Sequence, residues 1–226
     1  MSYSPSFSEN GSDTLAVAPD VSVIVPIYNE VESLEALVGA IAQSLQPIPY
    51  SYEIICVDDG SKDGSTALLK ELAKTRSDLC AVILRRNYGQ TPAMAAGFNQ
   101  AKGKFIVSLD ADLQNDPSDI PLLLAKLEEG YDLVSGWRIK RQDAALTRLL
   151  PSKVGNWLIG RVTNVRVHDY GCSLKAYRAE LLADMNLYGE LHRFLPALAF
   201  IEGAKIAEIP VKHHPRRYGS SKYGLG

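Results

Sequence analysis

The run Phe105-Ile106-Val107-Ser108-Leu109-Asp110-Ala111-Asp112-Leu113-Gln114 passes without a break from an apolar stretch into a cluster of oxygen donors. Its first five residues are apolar apart from Ser108 and include the β-branched Ile106 and Val107, so they predict a strand buried on both faces. The pattern repeats outward, at residues 21–25, 53–57 and 80–84 before it and 132–135 after it. Longer stretches of helical spacing separate these runs, at 30–45, 65–76, 91–101 and 117–129. Leu68, Leu69 and Leu72 give one of them the apolar face of a packed helix, and Pro117 stands where a helix start tolerates a missing N–H. Doubly buried strands alternating with helices predict an α/β fold: an open, mostly parallel sheet with helices on both faces.

Ligands of such sheets bind beyond the carboxyl ends of the strands. Five segments lie there: Pro26-Ile27-Tyr28-Asn29-Glu30, Asp58-Asp59-Gly60-Ser61, Arg85-Arg86-Asn87-Tyr88-Gly89, Asp110-Ala111-Asp112 and Gly136-Trp137-Arg138. No G-x-x-x-x-G-K-[ST] run exists and no G-x-G-x-x-G follows the first strand, which counts against P-loop and dinucleotide chemistry. Tyr28, Asn29 and Glu30 suit a base and a ribose instead. In extended backbone Asp110, Asp112 and Gln114 point to one side. Three hard oxygen donors so placed suit Mg²⁺ or Mn²⁺, with a diphosphate completing the shell. The same residues also fit a polar turn with Asp116 as a helix cap, and Asp58-Asp59-Gly60-Ser61 fits turn chemistry with Asp63 as a cap. A phosphatase with a nucleophilic aspartate is disfavoured, since the D-x-D motif follows the fourth strand. His213 and His214, adjacent on a strand, point to opposite faces and do not suggest a metal pair. Cys56, Cys80 and Cys172 sit in apolar surroundings and read as core.

The 226 residues, 46% hydrophobic and 22% charged, have ordinary globular composition. No apolar stretch reaches membrane-spanning length, and the start lacks a secretory pattern. Three cysteines do not close a disulfide framework, so a reducing, cytosolic setting is expected. Residues 1–20 read as a disordered tail. The net charge of −2 conceals a division: residues 1–137 hold 9 Lys+Arg against 19 Asp+Glu, whereas 138–226 hold 15 against 7. A balance of −10 thus meets one of +8, and the second half is expected to face something anionic. Beyond Arg138 the alternation is lost. Amphipathic helices are expected at 144–150 and 154–165, a short run at 172–177, helices at 179–185 and 191–201, and a strand at 205–211.

Three motifs taken in order, Val23-Ile24-Val25-Pro26-Ile27-Tyr28-Asn29-Glu30, Val57-Asp58-Asp59-Gly60-Ser61-Lys62-Asp63-Gly64-Ser65 and Asp110-Ala111-Asp112-Leu113-Gln114, resemble those of the inverting family 2 glycosyltransferases of GT-A fold. The second half resembles the polyprenyl-phosphate glycosyltransferases, of the dolichol-phosphate mannose synthase and bactoprenol glucosyltransferase type. That similarity rests on Ser135-Gly136-Trp137-Arg138, on Arg148 with Ser152, on Asp169-Tyr170-Gly171-Cys172-Ser173-Leu174-Lys175-Ala176-Tyr177-Arg178, on His192-Arg193 and on Arg216-Arg217-Tyr218-Gly219-Ser220-Ser221-Lys222.

The resemblance implies a GT-A catalytic domain over 21–226, with a nucleotide-binding part at 21–137 and a basic acceptor-binding lobe at 138–226. It implies that Pro26, Tyr28, Glu30 and Asp59 hold the nucleoside, and that Asp110, Asp112 and Gln114 hold the metal, Mg²⁺ or Mn²⁺, and the diphosphate. Arg138, Arg148 and Ser152 would meet the acceptor phosphate, Arg216 and Lys222 the donor diphosphate on a closing loop, and Asp169 would orient the sugar or assist attack. His192 and Arg193 are candidates for sugar contacts. The implied partners are a UDP- or GDP-linked sugar, a polyprenyl (dolichyl or undecaprenyl) phosphate and a membrane surface, with no nucleic acid; a homo-oligomer is left open. The implied place is the cytoplasmic face of a membrane, with this chain peripheral there and either an anchor expected after Gly226 or its place taken by a partner or a surface helix. A nucleotide-sugar binding subunit without turnover, or a transferase acting on a non-lipid acceptor, are the alternatives.

Overall fold

A computed structural model describes residues 18–139, 167–183 and 195–216. Within them seven strands form one sheet: β1 (Val21–Ile27), β2 (Tyr52–Asp58), β3 (Leu79–Ile83), β4 (Phe105–Ser108), β5 (Leu133–Trp137), β6 (Lys175–Arg178) and β7 (Ile206–Pro210). Their spatial order is β3-β2-β1-β4-β6-β5-β7. The helices are α1 (Val31–Leu45), α2 (Ser65–Thr75), α3 (Gln90–Gln100), α4 (Ile120–Glu128), α5 (Ala179–Ala183) and α6 (Leu195–Ile201), with a 3-10 turn at Pro117–Asp119 before α4. The helices expected at 144–150 and 154–165 lie outside the described residues.

β1 runs parallel to β2 and β4, β2 to β3, and β5 to β7. β6 is the exception, antiparallel to both β4 and β5. Its direction follows from its approach. Residues 169–174 lie at the carboxyl edge where β4 and β5 end, so a strand entering from that loop must run downward between them. The loop before β6 and the segment after β7 thereby join the ends of β1, β2, β4 and β5 at one edge.

The pleat sends alternate side chains to two cores. Val23, Val25, Ile54, Cys56 and Val107 meet Leu34, Leu37, Ile41, Leu69, Leu123 and Leu127 from α1, α2 and α4. Ile24, Ile55, Val57, Ile106 and Tyr177 meet Ala93, Met94, Leu195 and Ala199 from α3 and α6. Helix α3 lies close because Gly97 has no side chain: a Cβ there would stand 2.3 Å from Ile24 Cγ2. One expectation fails at the edge. Cys80, read as core, is exposed, because β3 is an edge strand and only Leu79 in it is buried. Among the described residues no helix is long and apolar enough to cross a membrane.

Candidate active site at the carboxyl edge of the sheet

Central strand β1 contains a proline, and the reason it is tolerated leads to the site. β4 pairs with β1 only as far as Ser108 opposite Ile24. In a parallel ladder alternate residues bond to opposite neighbours, so Pro26 faces the side where β4 has already ended and costs no ladder bond. Just past that end the chain turns at Asp110.

The turn is not extended, contrary to the alternation expected of residues 110–114. Leu113 takes φ 57°, a left-handed conformation uncommon for any residue but glycine. Gln114 N–H then donates to Asp112 Oδ1 at 3.1 Å. Gln114 is turned toward another segment, its Nε2 donating to the His214 carbonyl at 3.4 Å. Asp110 is fixed from two sides: its N–H donates to Ser173 Oγ at 3.2 Å, and Gln90 Nε2 donates to its Oδ1 at 2.6 Å. Burial, then the neighbouring Asp112 charge, push the Asp110 carboxyl up to about 6. Two carboxylates so close in a poorly solvated place favour a cation between them. A hard divalent ion fits that donor set. Among the described residues no His, Cys, Asp or Glu makes a third ligand, so such an ion would draw further oxygens from a diphosphate or water.

Asp112 already holds a cation. Arg216 Nη2 donates to its Oδ2 at 2.6 Å, while Arg216 Nη1 stands 3.7 Å from Glu30 Oε1. Residues 212–216 deliver this arginine by lying along the segment after the turn. Asn115 and His213 form an antiparallel bridge, and His214 N–H donates to the Gln114 carbonyl at 2.8 Å. His214 Nε2 lies 2.9 Å from Asp116 Oδ2, and Lys212 N–H donates to Asp119 Oδ2 at 2.6 Å. Asp116 also caps the 3-10 turn, accepting from Ser118 N–H at 2.9 Å.

The first two loops are laced together. Asn29, with φ 54°, donates its N–H to Ser61 Oγ at 2.9 Å and accepts from Lys62 N–H at 2.7 Å; Glu30 N–H donates to Ser65 Oγ at 2.9 Å. The N-cap of α2 is Gly64 rather than the expected Asp63, which stands one residue earlier and accepts from Ser65 N–H at 3.0 Å. Asp59, expected at the nucleoside, spends both oxygens on the N–H groups of Tyr88 and Gly89 at 2.7 and 2.8 Å. Burial nevertheless pushes its carboxyl up. The adjoining Gly60 has φ 72°, and a Cβ there would meet the Arg86 carbonyl carbon at 2.5 Å.

Arg138 and Asp169, assigned separate roles from the sequence, form one buried fork: Nε to Oδ2 at 2.7 Å and Nη2 to Oδ1 at 2.9 Å. Glu208 of β7 holds the loop from behind, accepting from the N–H groups of His168 at 2.8 Å and Asp169 at 3.1 Å. The His168 ring stacks on Trp137, with centroids 4.3 Å apart. Arg148, Ser152, His192, Arg193 and Lys222 lie outside the described residues.

Ser173, Gln90, Glu208 and Lys175 were not singled out from the sequence as site residues. Lys175 is buried on β6, its Nζ donating to the carbonyls of Tyr170, at 3.3 Å, and Cys172. Burial pushes its ammonium down, while the nearby Asp169 and Asp110 charges act the other way. A signal existed: one lysine inside the apolar run 172–177 is a buried charge, which needs partners.

A model described as Glycosyl transferase family 2 matches residues 22–185. A dodecaprenyl-phosphate galacturonate synthase of Rhizobium johnstonii is 45% identical over 210 residues, 91% of this chain and 62% of that protein. An undecaprenyl-phosphate 4-deoxy-4-formamido-L-arabinose transferase of Pseudomonas fluorescens is 46% identical over 204 residues, 90% of this chain and 60% of the other. The chain therefore spans about three fifths of the length of these relatives. A mannosyltransferase from Pyrobaculum calidifontis in complex with GDP-Man and Mn²⁺ superposes with TM-score 0.63 at 21% identity, over 89% of this chain and 59% of that one. A glucosyl-3-phosphoglycerate synthase from Mycobacterium tuberculosis in complex with Mn²⁺, UDP-Glc and glycerol 3-phosphate superposes with TM-score 0.63 at 19% identity, over 96% and 79%. Both likenesses concern the fold.

Proposed function

Because this chain belongs to glycosyl transferase family 2, we propose that it transfers a sugar from a nucleotide-sugar to a polyprenyl phosphate, with inversion at the anomeric carbon. The observation that carries the reading is the meeting, at one sheet edge, of the Asp110 and Asp112 carboxylates with Arg216, Glu30 and the buried Arg138–Asp169 fork. The two relatives named for transfer to polyprenyl phosphates support the acceptor class. Tyr28, Glu30 and Asp59 border the nucleoside; Asp59 does so by shaping the 85–89 loop that it ties down. Asp110 and Asp112, with Gln114 beside them, bind Mg²⁺ or Mn²⁺, which when bound offsets charge on the diphosphate.

An acceptor phosphate monoester is anionic near neutrality and needs little proton removal. Its oxygen forms the new bond to the anomeric carbon as the bond to the diphosphate breaks on the opposite face. Arg138 orients that phosphate, held in aim by Asp169; Arg148 and Ser152 assist, and Arg216 with Lys222 stabilises the departing diphosphate. The reaction takes place at the cytoplasmic face of a membrane, where the basic second half faces anionic headgroups.

Incubating the chain with Mn²⁺, undecaprenyl phosphate in detergent and labelled UDP- or GDP-sugars tests this. Label in the lipid fraction with an equal release of nucleoside diphosphate is expected. Nucleotide release without labelled lipid, or with label in a soluble acceptor, would overturn the acceptor assignment.

A further inference from the structure

The geometry points to a second binding role for Arg216, as an internal cation of the metal site that competes with a divalent ion for Asp112. The inference rests on the metal assignment above, and its consequence is that metal and nucleotide load jointly.

Asp112 is buried, and its Oδ2 accepts from Arg216 Nη2 at 2.6 Å, a charge-assisted bond. Its Oδ1 accepts from Gln114 N–H at 3.1 Å. A metal ion that takes the lone pair used by the guanidinium displaces it, and one that takes another lone pair of Asp112 still sets a divalent charge beside the arginine's. Arg216 is no casual visitor. The segment that carries it is registered against residues 114–119 by the His213 bridge and the contacts of His214 and Lys212, and its other nitrogen lies 3.7 Å from Glu30. One guanidinium thus neutralises a carboxylate of the nucleoside loop and a carboxylate of the metal turn.

A bare divalent ion must weaken that pair and set a new positive charge beside Arg216, and it brings no anion to offset that charge. A metal that arrives with a nucleoside diphosphate meets a different balance. The diphosphate oxygens accept the displaced arginine, which then forks onto phosphate rather than carboxylate. The same residue therefore opposes the metal alone and favours the metal–nucleotide complex.

Arg216→Gln separates the two effects, with Lys205→Gln, an exposed lysine just before β7, as the control for charge removal. Free Mn²⁺ is followed by electron paramagnetic resonance in titrations with and without UDP or GDP, after thermal melting shows both variants folded. Without nucleotide, Arg216→Gln is expected to bind Mn²⁺ about tenfold or more tightly than the parent, the scale of one charge-assisted contact. With nucleotide the gain should vanish or reverse. Equal or weaker nucleotide-free Mn²⁺ binding by Arg216→Gln, or an equal gain in Lys205→Gln, would overturn the inference while leaving the metal site standing. Failure of every protein to bind Mn²⁺, even with nucleotide, would overturn the metal assignment and this role with it.

Discussion

Asp110 sits under two opposing demands, since burial and the Asp112 charge both favour its protonated form while a metal requires the anion. Its folded value of about 6 stands above the ordinary 3.8, so the folded chain binds the proton more readily than the unfolded one. Its contribution to stability is therefore complete below about 3.8 and is lost as pH rises through about 6. Asp110→Asn removes that loss. The variant should melt a few degrees above the parent near pH 8, the gap should close toward pH 4, and transfer should be abolished; calorimetry across that range together with the transfer assay checks all three. Lys175 poses the converse case, a buried cation that secures the loop of Asp169 and Ser173 through two carbonyls. Lys175→Met keeps the volume and removes the charge, and replacing a buried ion by an apolar residue of similar size is often tolerated by the fold. Turnover is expected to fall about tenfold to hundredfold with nucleotide affinity unchanged, because the proposed function puts the loop it anchors on the acceptor side. Turnover equal to the parent would reduce Lys175 to packing.

Gly60 shows where an element boundary becomes a functional constraint. Its φ of 72° and the 2.5 Å approach of a built Cβ to Arg86 mean that Gly60→Ala must separate the ends of β2 and β3. A cost of about 1–3 kcal/mol is expected, read by chemical denaturation, together with weaker nucleotide binding through the displaced 85–89 loop. Elements of this kind were legible in the sequence to different depths. Strands β1, β2 and β4 stood out because both their faces are buried and their residues show it; Asp58-Asp59-Gly60-Ser61 stood out because turns leave a chemical signature. The direction of β6 did not, since an antiparallel insertion depends on which edge the chain returns from, and residues 172–177 read alike in either sense. Nor did the turn at Leu113, because a leucine gives no warning of a left-handed backbone. Pairings such as Arg138 with Asp169 join residues 31 apart, and Arg216 with Asp112 joins residues 104 apart; single residues were visible as candidates, but only the sheet order brings them together.

Across the whole molecule charge is divided by sequence but not by architecture. Residues 1–137 carry −10 and residues 138–226 carry +8, yet β6 and β7 from the second part complete the sheet begun by the first. The acidic part contributes Glu30, Asp110 and Asp112 to the edge, and the basic part contributes Arg138's partner loop, Lys175 and Arg216. The described site thereby sets carboxylates against cations at short range, where salt screens little because the pairs are buried. Under the proposed function the remaining positive charge of the second part would have a different use, attraction of an anionic lipid surface over distances comparable with the Debye length of about 8–10 Å at 0.1–0.15 M salt. The two should separate on titration with salt. Raising NaCl from about 0.05 to 0.5 M is expected to leave nucleotide and Mn²⁺ affinity within about twofold, since those contacts are desolvated and geometrically fixed. Transfer to undecaprenyl phosphate in vesicles containing anionic lipid should fall several-fold over the same range, and the fall should be much smaller in neutral vesicles. A loss of equal size in both vesicle types would place the salt effect at the acceptor phosphate and its arginines, and would remove the bilayer surface from the account of the +8 half.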